Sequence, residues 1–357
     1  MERLIKKREP ISLTKKSIQN LIAYKPNTLP YRIKLDANES NQFLFNEDLK
    51  INTSRINMYP DNYATDLRNA ISHYIGESAD HIIAGNGSSE MIELLFKTYV
   101  DKNDVVFSFD PSFSMYGVYS QIYNAELVRI KANTDFSVNI DDLIEQLERY
   151  TPKLIFICTP NNPTGTVVNK VDIKKLLDKT DAIVVVDEAY MEFFDESESM
   201  VSEIKQYSNL VVLRTLSKAF GLAAIRVGYM VASAELIEIA YRVKSPYNIN
   251  TLSQLVAIEA LNQTEKVKQH VNDIIVRRNH LYRQMKELGI TVYPSHGNFL
   301  FFKYECDQLY KGLINKGIII RKFSGELNNH YRVTVGNAYE TKLFIQCVEE
   351  ILNDETI

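Results

Sequence analysis

Tryptophan is absent from the 357 residues, and cysteine occurs only at Cys158, Cys306 and Cys347. No two of these form a CxxC pair, which argues against a zinc ribbon or a disulfide framework and suits a reducing compartment. No apolar run approaches the ~18 residues that a bilayer-spanning helix needs. An excess of one charge sign is also missing: 41 Lys and Arg stand against 45 Asp and Glu, a formal net charge of -4. That balance removes the electrostatic case for a nucleic-acid or anionic-membrane partner. No low-complexity linker and no internal repeat interrupts the chain. What remains is ordinary globular composition, 45% hydrophobic and 24% charged, long enough for one large domain with a smaller one.

The beginning of the chain is basic, with Arg3, Lys6, Lys7, Arg8, Lys15 and Lys16. No apolar stretch follows, as a secretory signal would require, and Glu2 and Glu9 interrupt the basic face that a transit peptide would show. The segment reads as a solvated helix or arm, and the expected compartment is the cytoplasm.

From about residue 64, helical patterns (64–75 and 91–99) alternate with short apolar runs at 81–84, 105–108, 126–130, 154–158, 182–186, 210–213 and 227–231. Continuous β-branched runs without polar alternation predict strands buried on both faces, hence a three-layer α/β domain with a mostly parallel sheet. After about residue 235 the pattern changes. A long helical region (236–288) precedes short strands at 291–293, 299–302, 318–321 and 331–335, then a closing helix over 340–352; this predicts a smaller α+β domain. The expected division is an N-terminal arm to residue 50 that packs on the small domain, a large domain over 51–240, and a small C-terminal domain over 241–357.

Polar motifs stand where the apolar runs end, the place open α/β sheets reserve for ligands. Asp187, in Asp187-Glu188-Ala189-Tyr190, puts an acid at the end of a buried strand. It could simply cap a helix or pair with an arginine; it could equally keep a cofactor's pyridine nitrogen protonated, making the ring an electron sink. Lys218 lies between the strand at 210–213 and a glycine turn, with Arg226 close behind. A lone lysine is usually a solvated charge, yet an amine fixed near a cation can be held ready for attack at neutral pH. Gly85-Asn86-Gly87-Ser88-Ser89-Glu90 joins a strand to a helix. Its serines could be ordinary caps, or its amides could attract a phosphate. Pro160-Asn161-Asn162-Pro163-Thr164-Gly165 is a turn that needs no function, although an asparagine held between prolines is a good donor to a phenolate. No single motif decides; the four together point to pyridoxal 5'-phosphate (PLP).

With these motifs the chain resembles the fold-type I, PLP-dependent class I/II aminotransferases. Leu213-Arg214-Thr215-Leu216-Ser217-Lys218-Ala219-Phe220-Gly221-Leu222 and Met58-Tyr59-Pro60-Asp61 resemble the histidinol-phosphate branch. The resemblance spans from Leu21-Ile22-Ala23-Tyr24 to Tyr331-Arg332-Val333-Thr334. It implies Lys218 as the Schiff-base lysine, Asp187 as partner of the pyridinium, and Tyr190 and Asn162 as donors to the phenolate oxygen. Phe113 would stack on the ring; Gly87, Ser88, Ser89, Ser217 and Arg226 would hold the phosphate. Tyr59 would reach that phosphate from a neighbouring subunit, implying a homodimer with shared sites. Arg332 and Arg321 would receive the anionic groups of glutamate, 2-oxoglutarate or a phosphorylated amino alcohol or keto compound, with Tyr24 and Asn38 closing over the substrate. No metal is implied. The sequence pattern departs from the family's at Ser40, Ser89 and Asn337. An aromatic aminotransferase or a threonine-phosphate decarboxylase could use the same lysine, aspartate and arginines. A non-catalytic PLP-binding regulator would need a DNA-reading module, and no helix-turn-helix pattern precedes the main domain.

Overall fold

The computed structural model describes residues 10–23, 27–45, 51, 54 and 56–354. Seven strands form the larger sheet: β2 (Ile82–Asn86), β3 (Val105–Asp110), β4 (Glu126–Lys131), β5 (Pro152–Cys158), β6 (Ile183–Asp187), β7 (Leu210–Thr215) and β8 (Val227–Ala232). They lie in the order β2-β8-β7-β6-β5-β3-β4. Only β8 runs against its neighbours; the others pair parallel along β7, β6, β5, β3 and β4. The unalternating apolar runs mark the strands covered on both faces: every residue of β7 and β8 is buried. Each fully buried Val or Ile contributes roughly 1.5–3 kcal/mol, so the centre of this sheet is the most strongly determined part of the chain.

A second sheet of five strands holds β1 (Ile33–Leu35), β9 (Thr291–Tyr293), β10 (Phe299–Lys303), β11 (Ile318–Lys322) and β12 (His330–Thr334), in the order β1-β11-β12-β10-β9. β1 pairs parallel with β11, Ile33 opposite Ile318. This is a strand the sequence pattern does not announce. The short helix Lys16–Gln19 goes elsewhere, where Gln121 Nε2 donates to the Ser17 carbonyl at 3.0 Å on the large sheet's side.

The long helical region at 236–288 is three helices, Ala234–Val243, Thr251–Leu261 and Thr264–Glu287. The first break contains Pro246, whose missing N–H cannot continue a helix, and Asn250 restarts the chain by accepting from the Ser253 amide at 2.9 Å. Helix Thr251–Leu261 packs on helix Thr65–Ile75, so the region after residue 240 still covers the large sheet. Among the described residues, no helix is long and apolar enough to cross a membrane.

Candidate active site

The carboxyl ends of the parallel strands open into a cavity of about 560 Å³, to whose lining the second sheet also contributes. β6 delivers Asp187 and, just beyond it, Tyr190; β7 leads into Ser217 and Lys218; β5 leads into the turn that carries Asn162. The second sheet contributes Arg321 and Arg332, which lie opposite one another on β11 and β12. Phe113, Gly87, Ser88, Ser89, Arg226 and Asn38 also face this cavity. The sequence motifs thus meet in one place.

Lys218 is half-buried, and its amine donates to the Ala37 carbonyl at 3.0 Å and lies 5.8 Å from the centre of the Tyr190 ring. Burial first, then the nearby Arg332 cation, bring this amine down to about 7. At neutral pH a large fraction is therefore neutral, the form that attacks an aldehyde or takes a proton.

Asp187 is 3% exposed. One oxygen accepts from the Tyr116 hydroxyl at 2.8 Å and the other from the Ala189 amide at 3.3 Å. Burial pushes its carboxyl up to about 6, against the pull of those two bonds. No lysine or arginine pairs with it among the described residues. A buried carboxylate with two neutral donors gains from a cation beside it, as a pyridinium would be.

Tyr190 is 4% exposed and pushed up to about 12, chiefly by burial. Its hydroxyl accepts from Asn38 Nδ2 at 3.0 Å, which leaves its own proton to donate. Asn38 is itself buried, with a left-handed φ of 54°, its amide bonded to Thr334 Oγ1 at 3.0 Å and its carbonyl to Asn298 Nδ2 at 3.1 Å. It is a fixed support for Tyr190 more than a flap over the substrate. Asn162 Oδ1 accepts from Arg332 Nη1, and Arg332 Nη2 donates to the Asp36 carbonyl at 2.7 Å. That pairing settles the Asn162 side chain with its amide nitrogen turned away from Arg332.

The phosphate motif is a helix start. Helix Ser88–Tyr99 begins three residues earlier than the apolar pattern predicts, with Gly87 as its cap at φ 74°. The first amides of a helix have no partner within it and carry its positive end. A Cβ on Gly87 would stand 2.7 Å from Arg226 Nη2, so the glycine lets the guanidinium lie over the turn. Arg226 occupies a left-handed conformation, φ 54° and ψ 53°, that bulky residues rarely adopt, and such strain gathers at working sites. Gly228 on β8 has Gly87 and Ser88 packed against the place of a side chain. Serine hydroxyls, free amides and one guanidinium form a cradle suited to a phosphate dianion. Together with Asp187, Tyr190 and Lys218, the donor set fits PLP.

Two predicted residues stand outside. Tyr59 is 81% exposed and stacks on Tyr247 at 4.7 Å, away from its own chain's cavity. Tyr24 lies outside the described residues. Sequence reasoning missed Tyr116, the carbonyls of Asp36 and Ala37, and the buried pairing of Arg214 with Glu188 and Glu192 at 2.8 and 3.2 Å. It also missed Asn161, which accepts from Ser112 Oγ at 2.8 Å and donates to the Pro111 carbonyl at 3.0 Å, tying the Asn162 turn to the loop of Phe113.

The model of the aminotransferase class I and II family matches residues 32–347. A histidinol-phosphate aminotransferase of Thermoanaerobacter sp. (strain X514) is 40% identical over 350 residues, 96% of this chain and 99% of that protein. One from Clostridium novyi (strain NT) is 37% identical over 94% of this chain and 96% of its own length. Among solved structures, the histidinol-phosphate aminotransferase from Sinorhizobium meliloti, in complex with pyridoxal-5'-phosphate, shares the fold. Its TM-score is 0.89 at 21% identity, covering 96% of this chain and 98% of that one. The L-threonine-O-3-phosphate decarboxylase from Porphyromonas gingivalis also shares it, at a TM-score of 0.77 and 21% identity over 90% of this chain and 99% of its own. The chain belongs to the class I and II aminotransferases, PLP-dependent enzymes of the fold-type I architecture.

Proposed function

We propose that this protein transfers an amino group between glutamate and a phosphorylated imidazole compound, as a histidinol-phosphate aminotransferase of histidine biosynthesis. The observation that carries the reading is a near-full-length identity of 40% to relatives of that name. A cavity in which a lysine of low basicity faces two arginines supports it.

Bound PLP supplies an aldehyde for amine exchange and a protonated ring that takes up electrons from the substrate's α-carbon. Lys218 would hold the cofactor through its amine and move a proton at the substrate's α-carbon; an amine near 7 is matched to that role. Asp187 would serve as the anionic partner of the ring nitrogen. Tyr190, with its own lone pair engaged by Asn38, donates toward the phenolate, and the amide of Asn162 does the same. Phe113, which lines the cavity, would stack on the ring face. Gly87, Ser88, Ser89, Ser217 and Arg226 receive the cofactor's phosphate. Arg332 binds the carboxylate or phosphate of the substrate, and Arg321 takes a second anionic contact, while Asn38 supports Tyr190 beside them.

Tyr59 is exposed and does not line its own chain's cavity, which supports a homodimer in which it reaches the partner's phosphate. The compartment we propose is the cytoplasm. The working division is an arm to residue 50, a large domain over 51–240 and a small domain over 241–357, with helix Thr251–Leu261 packing back on the large one.

The test supplies purified protein with glutamate and imidazole-acetol phosphate and measures 2-oxoglutarate, then runs histidinol phosphate in reverse. Aromatic keto acids and phosphothreonine are the comparison substrates. A preference for an aromatic keto acid, or carbon dioxide release from phosphothreonine, overturns the substrate assignment.

A further inference from the structure

We propose that Tyr116 is a positioning residue that holds the Asp187 carboxylate ionised and turned toward the cofactor ring. The proposal rests on the PLP reading above. Tyr116 lies in the first turn of helix Met115–Tyr123 and is 1% exposed. Its ring is stacked on Phe156 of β5 at 4.4 Å with 15° between planes, and it meets Phe113 edge to face at 5.7 Å. Ser120 Oγ donates to the Tyr116 carbonyl at 2.8 Å. Packing on two sides fixes where the hydroxyl points, and it points at Asp187 Oδ2, 2.8 Å away.

The other groups around Asp187 do not replace this donor. Cys158, the register partner of Asp187 on β5, gives its thiol proton to the Pro160 carbonyl at 3.6 Å. Leu213 faces Asp187 from β7 and is apolar. On its own segment, Glu188 adds negative charge that works against ionisation, and Tyr190 is bonded to Asn38. The Ala189 amide is the remaining donor, and it serves Oδ1. Tyr116 is therefore the one side chain among the described residues that stabilises the anion and pins one oxygen, leaving Oδ1 with a lone pair for the ring nitrogen.

The experiment uses Tyr116→Phe, which keeps the ring and both aromatic contacts. Full-length protein is stripped of cofactor and titrated with PLP, following visible absorbance from pH 5 to 9. At pH 7.5 the dissociation constant should rise about ten- to a hundredfold, the scale of one hydrogen bond to a charged group. Tyr116 favours the ionised form, so the acid limb of PLP binding should move to higher pH without it. In an Asp187→Asn background the same substitution should add nothing, because its effect passes through the carboxylate. Unchanged affinity and acid limb overturn the proposal, as does a loss that persists undiminished beside Asp187→Asn. If Tyr116→Phe lowers the melting temperature of the stripped protein, the acid limb and the double variant still decide. A wild-type chain that shows no visible band with PLP refutes the cofactor reading itself.

Discussion

Removing the Arg214 charge should destabilise the stripped protein by about 3–5 kcal/mol, a large share of a domain's usual ~5–15 kcal/mol. The magnitude follows from what Arg214 touches. Its Nε donates to Glu188 Oε2 at 2.8 Å, its Nη1 to Glu192 Oε1 at 3.2 Å and its Nη2 to Ser199 Oγ at 2.9 Å. The side chains of Arg214, Glu188 and Glu192 are 6%, 0% and 5% exposed. Arg214→Met keeps an apolar stem of similar reach but leaves two carboxylates in the interior with no cation. Glu188 retains Ser199 Oγ at 2.8 Å and the Met200 amide at 2.7 Å, so part of its desolvation stays covered. Glu192 has less support, and burial already raises its carboxyl above the usual range. A raised carboxyl weakens the fold above its normal titration and ceases to do so once protonated. The deficit of Arg214→Met should therefore shrink as pH falls from 8 toward 5. Adding Glu188→Gln and Glu192→Gln should recover stability, because the uncompensated charges are gone. Urea unfolding with matched slopes measures all three proteins. A loss below about 1 kcal/mol, or a deficit that grows at low pH, would refute the reasoning.

Four other outcomes follow from the site. Lys218→Ala should abolish both turnover and the visible absorbance of bound PLP; an intact band in that variant would remove the lysine assignment. In the stripped wild type, the rate of PLP capture should rise with pH about a midpoint near 7, where the neutral Lys218 amine appears, and a midpoint above 9 would contradict the environment described. Arg332→Gln should cut kcat/KM for glutamate about ten- to a hundredfold, from lost hydrogen bonds to charged groups, in a steady-state assay that also shows whether Asn162 loses its hold. Gly87→Ala should weaken PLP binding in a dialysis titration, since φ 74° and Arg226 at 2.7 Å both oppose a side chain there; equal affinity would mean the turn is not part of the cradle.

The parts of the fold legible in the sequence are those where one-dimensional pattern and three-dimensional burial coincide. β7 and β8 read as unbroken apolar runs because helices cover both faces of the central sheet, and the carboxyl ends of β5, β6 and β7 then had to carry Asn162, Asp187 and Lys218. The site's inner half followed from that geometry. β1 did not. Three residues long, it is stabilised by a parallel partner at the far end of the chain, Ile318 to Ile320, and local pattern holds no trace of such pairing. Its consequence is functional, because the residues just past it present the Asp36 and Ala37 carbonyls to Arg332 and Lys218. Backbone acceptors have no residue-type signature, so no reading of side chains could find them.

Glu188 and Arg214 show the opposite case, residues visible in the motifs whose role only burial reveals. Each directly adjoins or closely precedes a functional group: Glu188 follows Asp187, and Arg214, on β7, precedes Lys218 by four residues. Their ion pair joins the ends of β6 and β7 without lining the cavity. It fixes the two strands that hold the acid and the amine without touching either. A motif of this kind is half chemistry and half scaffold. Substituting its scaffold residues should lower stability first and alter PLP chemistry only as far as the strand ends shift, whereas Tyr116→Phe should do the reverse. Comparing the ratio of stability loss to PLP-affinity loss in Arg214→Met and Tyr116→Phe separates the two roles, and equal ratios would show that the division drawn between them is wrong.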